Sequence, residues 1–367
     1  MIKKEVEKIM EYVQKPARYV GGELNSVIKD PDKVDIRYAF CFPDIYEIGM
    51  SHLGMKILYG LVNDRDDSWC ERVFAPDVDM EEQMRKNNVP LFALESGDYI
   101  KDFDIIGFTL MYELCYTNVL NMLELAGIPL YSKDRTELAP IICVGGPCAC
   151  NPEPIADFVD IVFLGDGEDS TNAVLDLLKE CKKKGATKQD FLLKAKDITG
   201  VYVPSFYKDS YNADGTLKEL VPINGAPEKV KKSVVSDMNK CYYPKEFVVP
   251  FISIVHDRAV EEIFRGCIRG CRFCQAGFIY RPIREKSVET INAQSKALID
   301  STGYDELSLC SLSTSDHSQV NEMLTSLIDW TVKDKISLSL PSLRVDNFPD
   351  ELVDKLNKVR KSGLTFA

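Results

Sequence analysis

Cys267, Cys271 and Cys274 stand in FRGCIRGCRFCQAG with the spacing Cx3Cx2C, the stretch of the chain whose residue types and spacing most directly specify chemistry. Thiolates are ligands for soft and borderline metals, and three on one short loop fall one short of the set that a structural zinc site takes. His256 offers a fourth ligand for zinc, but it precedes a predicted strand rather than belonging to the loop, and His52 and His317 complete no finger motif. An iron–sulfur cluster suits the triplet better, because an iron that lacks a protein thiolate accepts a ligand from outside the protein.

The same stretch resembles the cluster loop of the radical S-adenosylmethionine (SAM) enzymes. That resemblance implies that Cys267, Cys271 and Cys274 hold a [4Fe-4S] cluster whose open iron chelates the amino and carboxylate groups of SAM. It also implies reductive cleavage of SAM to methionine and a 5′-deoxyadenosyl radical that takes hydrogen from a substrate, and it sets Phe273 next to the adenine. SLSTSDH at 311–317 resembles the serine-rich segment followed by Asp in methylthiotransferase-like relatives, which makes Ser313, Ser315 and Asp316 candidate SAM contacts. Helix capping by Ser315 or Asp316 is the alternative. Arg344 in PSLRVDNF is a candidate for the SAM carboxylate, with a salt bridge as its other reading. Arg265, just before the loop, is placed to orient loop carbonyls.

The elements that must position these residues are a βα series. AVEEIF leads into the cysteine loop, followed by a helix over SVETINAQSKALIDSTG, strand ELSLCSL, helix QVNEMLTSLIDWTVK, strand ISLSLPSL and helix PDELVDKLNKVRKSG. LTFA then arrives where a further strand is due. Such a series is the first part of a (β/α) barrel, and the sequence predicts a C-terminally incomplete radical SAM domain over 251–367, a three-layer fragment being the alternative.

Upstream, apolar runs alternate with amphipathic helices. IRYAFCFP, ERVFAP, VPLFAL, FDIIGFTL, PIICVGGP and FVDIVFLG read as strands, which predicts an α/β, Rossmann-like domain over 1–184. Gly145 and Gly146 in VGGP, and Gly165 and Gly167 in GDGE, fall where strands end and loops begin, the edge at which open parallel sheets bind ligands. Tight turns required by packing explain them equally. Neither is GxGxxG, so the nicotinamide and flavin fingerprint is missing. Residues 185–250 read as a connector with a small hairpin turning at NADG.

A Rossmann-like unit ahead of a radical SAM barrel is similar to the B12-binding radical SAM class. VGGP followed by VFLGDGE resembles the latter part of its cobalamin domain. KPARYVGGELN, DIYEIGMSHLG and GLTFA resemble an uncharacterised group within that class. The resemblance implies cobalamin as a further cofactor, with methyl transfer to an unreactive carbon as the chemistry. DxHxxG is absent, so no lower axial histidine is named; His52 reads better as a helix-start residue.

Composition bounds the rest. The chain has 367 residues, 45% hydrophobic and 28% charged, and no apolar run of membrane-spanning length, which predicts a cytoplasmic protein of more than one domain. A net charge of -12 argues against a broad nucleic-acid surface without excluding a local one. Most of the 12 cysteines, such as Cys41, Cys143 and Cys310, read as buried thiols. Cys148 and Cys150 share a loop without further ligands. The need for a low-potential electron implies flavodoxin or ferredoxin as partner, and the substrate stays unnamed. Two other functions remain: methylthiotransferase-like modification of RNA or protein, for which Cys41, Cys70 and Cys115 would have to hold a second cluster, and a non-catalytic iron–sulfur sensor.

Overall fold

The computed structural model describes residues 3–344 and Val359. The helix expected over 349–363, Val359 apart, and the strand expected at 364–367 lie outside the described residues. The chain forms two compact units, Met1–Val234 with Pro250–Ile252, and Val235–Val249 with Ser253–Ala367.

The first unit is a sheet with helices in its crossovers. Its strands are β1 Ile36–Phe42, β2 Ser68–Phe74, β3 Ile105–Thr109, β4 Ile141–Gly145, β5 Ile161–Phe163 and β6 Val201–Tyr202, in the order β2-β1-β3-β4-β5-β6. All pairings are parallel except β5 with β6. The strands are mostly apolar, with Arg37 of β1 and Glu71 and Arg72 of β2 as charged exceptions; α-helices lie in the crossovers after β1, β2 and β3, and short 3-10 turns in the one after β4. α1 Lys4–Met10 precedes the sheet; α2 Tyr46–Gly49 and α3 Leu53–Asn63 follow β1, α4 Val78–Asn87 follows β2, and α5 Tyr116–Leu125 follows β3. α6 Gly167–Lys184 and α7 Lys188–Ala195 follow β5. The order reverses direction between β1 and β3, which makes their C-terminal ends the switch point where such sheets bind ligands.

VPLFAL, expected as a strand, is not one. It makes one bridge, Phe92 to Tyr99, and its amides go to scattered partners: Leu91 to Leu125 O at 3.2 Å, Ala93 to Asp98 O at 2.9 Å and Leu94 to Arg72 O at 2.9 Å. Its residues are apolar because they are buried, and a short apolar run does not separate strand from packed coil. The segment lies along the outer side of β2, whose backbone is satisfied by side chains and loops. Lys29 Nζ donates to Ser68 O (2.7 Å), the Asn63 amide donates to Cys70 O (3.0 Å) and accepts from Cys70 N (2.9 Å), and Glu95 accepts from Arg72 N (2.7 Å).

The 185–250 stretch divides. α7 opens with a capping box between Thr187 and Asp190, and β6 extends the sheet. The hairpin is β7 Tyr207–Tyr211 with β8 Leu217–Pro222, closed at NADG, where Asn212 N donates to Thr216 O (2.9 Å).

The second unit holds β9 Ala259–Glu262, β10 Phe264–Arg265, α8 Ala276–Ile279, β11 Arg284–Glu285, α9 Val288–Thr302, β12 Glu306–Cys310, α10 Val320–Thr331 and β13 Ser337–Ser339. β13-β12-β9 is a parallel sheet, the start of a partial (β/α) barrel. Leu307 and Leu309 align with Ala259 and Glu261 on one face, and Ser308 and Cys310 align with Val260 and Glu262 on the other. Glu261 faces α9, since Lys286, which pairs with it, is also held by Gln294 of that helix.

Candidate functional site

In a parallel sheet, neighbouring strands end on the same edge. The loops after β9, β12 and β13 therefore converge, and the cysteine triplet, SLSTSDH and Arg344 belong to those three loops. The cysteine loop leaves β10 and is pinned at its base by the antiparallel pairing of Phe264 with Glu285 and Arg265 with Arg284. Gly266 turns it at φ +98°, where a Cβ would come within 2.7 Å of Pro282 O, so only glycine fits. Cys274 N donates to Cys271 O (3.0 Å) before α8 begins. Cys267, Cys271 and Cys274 are all free thiols and partly exposed. Among the described residues no group of three His, Cys, Asp or Glu is already gathered as a metal site, so a cluster would draw the thiols together. Soft donors on a glycine-flexed loop fit that role.

The segment after β12 is tied to its neighbour by hydrogen bonds. Thr314 N donates to Ser342 O (3.1 Å), Thr314 Oγ1 to Pro341 O (2.8 Å), and Arg344 N to Ser315 Oγ (3.3 Å), joining it to the segment after β13. Ser313 is 4% exposed, and its Oγ is buried without a hydrogen-bond partner. A buried hydroxyl without a partner is costly, which marks the place as one prepared for a polar ligand. Phe273 is 94% exposed, its ring free to meet a flat group. Arg265 is committed to Glu262 through Nε and Nη2, each at 2.9 Å. His317 is buried with both nitrogens engaged: Nδ1 accepts from Gln319 N and Nε2 donates to Lys286 O, each at 3.1 Å. The sequence did not single out Arg269, whose guanidinium grips Asp316 (Nε to Oδ2, 2.8 Å; Nη2 to Oδ1), nor the ion pair of Glu261 with Lys286 (2.8 Å). Burial pushes Glu261 up to about 8 against the pull of Lys286. Charged residues inside a β-strand pattern were the available signal for Glu261; Arg269 gave none.

In the first unit, the switch-point edge is drawn together by Tyr112, whose hydroxyl donates to Asp44, and by Asn118 Nδ2, which donates to Pro43 O (2.9 Å). Ile48, Tyr112 and Leu114 lie exposed there, an apolar surface of the kind a flat macrocycle covers. Gly145 ends β4 and is uncrowded, since a Cβ would rest against Phe163 at an ordinary 3.5 Å, and Gly146 follows it. Gly165 has another reason to be glycine: it bridges Ser233, whose carbonyl would stand 2.1 Å from a Cβ. Gly167 begins α6. The frame DxHxxG is filled at Asp44 and Gly49 with Tyr46 in the histidine's place, and the Tyr46 hydroxyl is buried on Glu23 (2.9 Å). His52 caps α3 by accepting from Met55 N (3.1 Å), and burial, with Lys56 nearby, lowers it to about 4. A corrin here would thus bind without a histidine from this loop. Cys41 and Cys70 lie in the strand core, and burial raises both thiols well above their ordinary range.

Residues 54–204 match the family described as radical SAM proteins, N-terminal. The match covers less than half of the chain, and the fold is similar to that of solved radical SAM enzymes. Among particular relatives, an uncharacterized protein of Methanocaldococcus jannaschii is 28% identical over 325 residues, 86% of this chain and 57% of that protein. The radical SAM methyltransferase TsrM of Kitasatospora setae, solved with tryptophan substrate and a SAM analog, superposes with a TM-score of 0.55 at 11% identity, over 89% of this chain and 58% of that one. OxsB, a cobalamin-dependent SAM radical enzyme solved with aqua-cobalamin and SAM, gives 0.51 at 16% identity, over 86% and 40%. The chain spans a little over half the length of the curated relative. No helix among the described residues is long and apolar enough to cross a membrane.

Proposed function

We propose that the protein is a radical SAM enzyme in which Cys267, Cys271 and Cys274 hold a [4Fe-4S] cluster and Phe273, Ser313, Ser315, Asp316 and Arg344 border the SAM. The observation that carries this reading is the free thiol triplet on the loop leaving the first barrel strand, on the same sheet edge as the unpartnered Ser313 hydroxyl. When bound, the reduced cluster supplies the electron that cleaves SAM to methionine and the 5′-deoxyadenosyl radical that takes hydrogen from substrate. The chain's own part is to hold the three thiolates on one loop, to present Phe273 to the adenine, and to offer buried polar groups to the SAM head. Flavodoxin or ferredoxin is the proposed electron donor.

For the first unit we propose cobalamin at the switch-point edge, against Gly145 and Gly146 and the exposed Ile48, Tyr112 and Leu114, with the GDGE loop of Gly165 and Gly167 on the same edge. Bound methylcobalamin would supply a methyl group for an unreactive carbon, and the fold shared with TsrM and OxsB supports this choice. Methylthiotransferase-like chemistry is less well supported, because Cys41 and Cys70 are enclosed in the sheet.

Anaerobic reconstitution with iron, sulfide and hydroxocobalamin, followed by metal counting and a SAM cleavage assay under dithionite, tests both parts. About four irons per chain and release of 5′-deoxyadenosine are expected, both lost in Cys267→Ala, Cys271→Ala and Cys274→Ala. Retained cobalt supports the cobalamin reading. Two clusters per chain would return the methylthiotransferase reading, and a cluster without SAM cleavage would favour a sensor.

A further inference from the structure

The middle of the cysteine loop is fastened by a side chain. Arg269 lies between Cys267 and Cys271, next to the turn at Gly270 (φ +62°). It reaches across 47 residues to Asp316 with two contacts, Nε to Oδ2 at 2.8 Å and Nη2 to Oδ1, the fork-on-carboxylate geometry that fixes orientation as well as distance. Asp316 is the enclosed partner, its side chain 5% exposed against 33% for Arg269. It sits at the end of the 314–316 turn whose Thr314 is bound to the segment after β13 by main chain and side chain. The anchor is thus built into the sheet edge, and the loop is what the pair holds in place.

Resting on the reading of the triplet as cluster ligands, we propose that Arg269 is a positioning residue that fastens the cysteine loop to Asp316 and so sets the thiolates at a fixed distance from the SAM-facing segment 313–316. Asp316 then holds Arg269 while bordering the SAM, and the unpartnered Ser313 hydroxyl on the same segment is open to a SAM contact. The loop can take up iron without the pair, since its ligands are its own; what the pair adds is the aim of the cluster at SAM.

The test uses reconstituted protein and three variants: Arg269→Ala, Arg269→Lys, and the exchange Arg269→Asp with Asp316→Arg. The readouts are iron per chain, the change in the EPR spectrum of the reduced cluster on SAM titration, and hydrogen exchange of residues 266–275 in the apoprotein. Expected for Arg269→Ala are faster loop exchange and a SAM concentration for half-maximal spectral change raised at least about tenfold, as for other outer contacts of a metal site. Arg269→Lys should recover part of this, and the exchange variant more of it. A wild-type EPR titration and wild-type loop exchange in Arg269→Ala would overturn the proposal, as would a defect that the exchange variant does not reduce. Should the wild type itself take up no iron, the cluster reading fails, and the loop-exchange comparison still decides whether Arg269 fastens the loop.

Discussion

Two arginine–carboxylate systems in this protein have the same chemistry and opposite surroundings. Arg72, on β2, is 2% exposed and meets Glu23 (2.8 Å) and Glu95 (2.6 Å), with Tyr46 completing Glu23 and the Tyr59 ring beside the guanidinium. Arg269 is exposed, meets Asp316 and belongs to a loop. A buried charge must be satisfied by the fold itself, whereas a pair with one exposed partner has water as an alternative, so losing it costs less. The Arg72 cluster is completed by the chain's own groups, Glu23 and Glu95. The segment that Arg269 meets carries Ser313, whose buried Oγ has no hydrogen-bond partner.

The sharpest way to break this comparison is Arg72→Met, which leaves Glu23 and Glu95 enclosed without a counter-charge. A loss of about 3–5 kcal/mol is expected from urea unfolding of the first unit. A loss under about 1 kcal/mol, the range of exposed pairs, would erase the distinction.

Glu261 gives the next effect. It is raised by burial from 4.5 to about 8, so between those values the folded chain holds a proton that the unfolded chain has released. Stability from this group is therefore complete at low pH and declines as pH rises from about 4.5 to 8. Glu261→Gln, which keeps the uncharged form, should gain on the wild type across that interval by on the order of a few kcal/mol, read as a pH series of unfolding midpoints. Parallel pH profiles for the two proteins would mean that Lys286 keeps Glu261 ionised throughout.

The smallest effect belongs to His52. If it is only a helix cap, His52→Ala should cost roughly 1 kcal/mol and leave the retained cobalt and the cobalamin spectrum unchanged. A changed cobalt spectrum would make it a ligand after all.

Much of this was legible in the sequence. Continuous apolar strands announced a covered parallel sheet, and the thiol spacing marked out the loop that carries the three cysteines, because both are local patterns with a period or a fixed offset. VPLFAL misled because burial without pairing leaves the same apolar run as a strand. α7 was passed over inside a turn-rich stretch although Thr187 and Asp190 spell its capping box. Arg269 with Asp316, and Asp44 with Tyr112, were invisible because each pair is brought together by the order of strands in a sheet, which no spacing along the chain encodes. Ser313 stood beside Ser315 and Asp316 as a candidate SAM contact; what distinguishes it is the missing partner of its buried hydroxyl, a property of the packed structure.

The outer side of β2 has a further consequence. A terminal strand normally offers a row of unpaired amides and carbonyls on which a second chain can add its own strand. Here Lys29, Asn63, Leu94 and Glu95 already occupy the carbonyl of Ser68 and both backbone groups of Cys70 and Arg72. That row is closed to intermolecular strand addition, so this apolar sheet is guarded against aggregation along β2 by the same glutamate that neutralises its buried arginine.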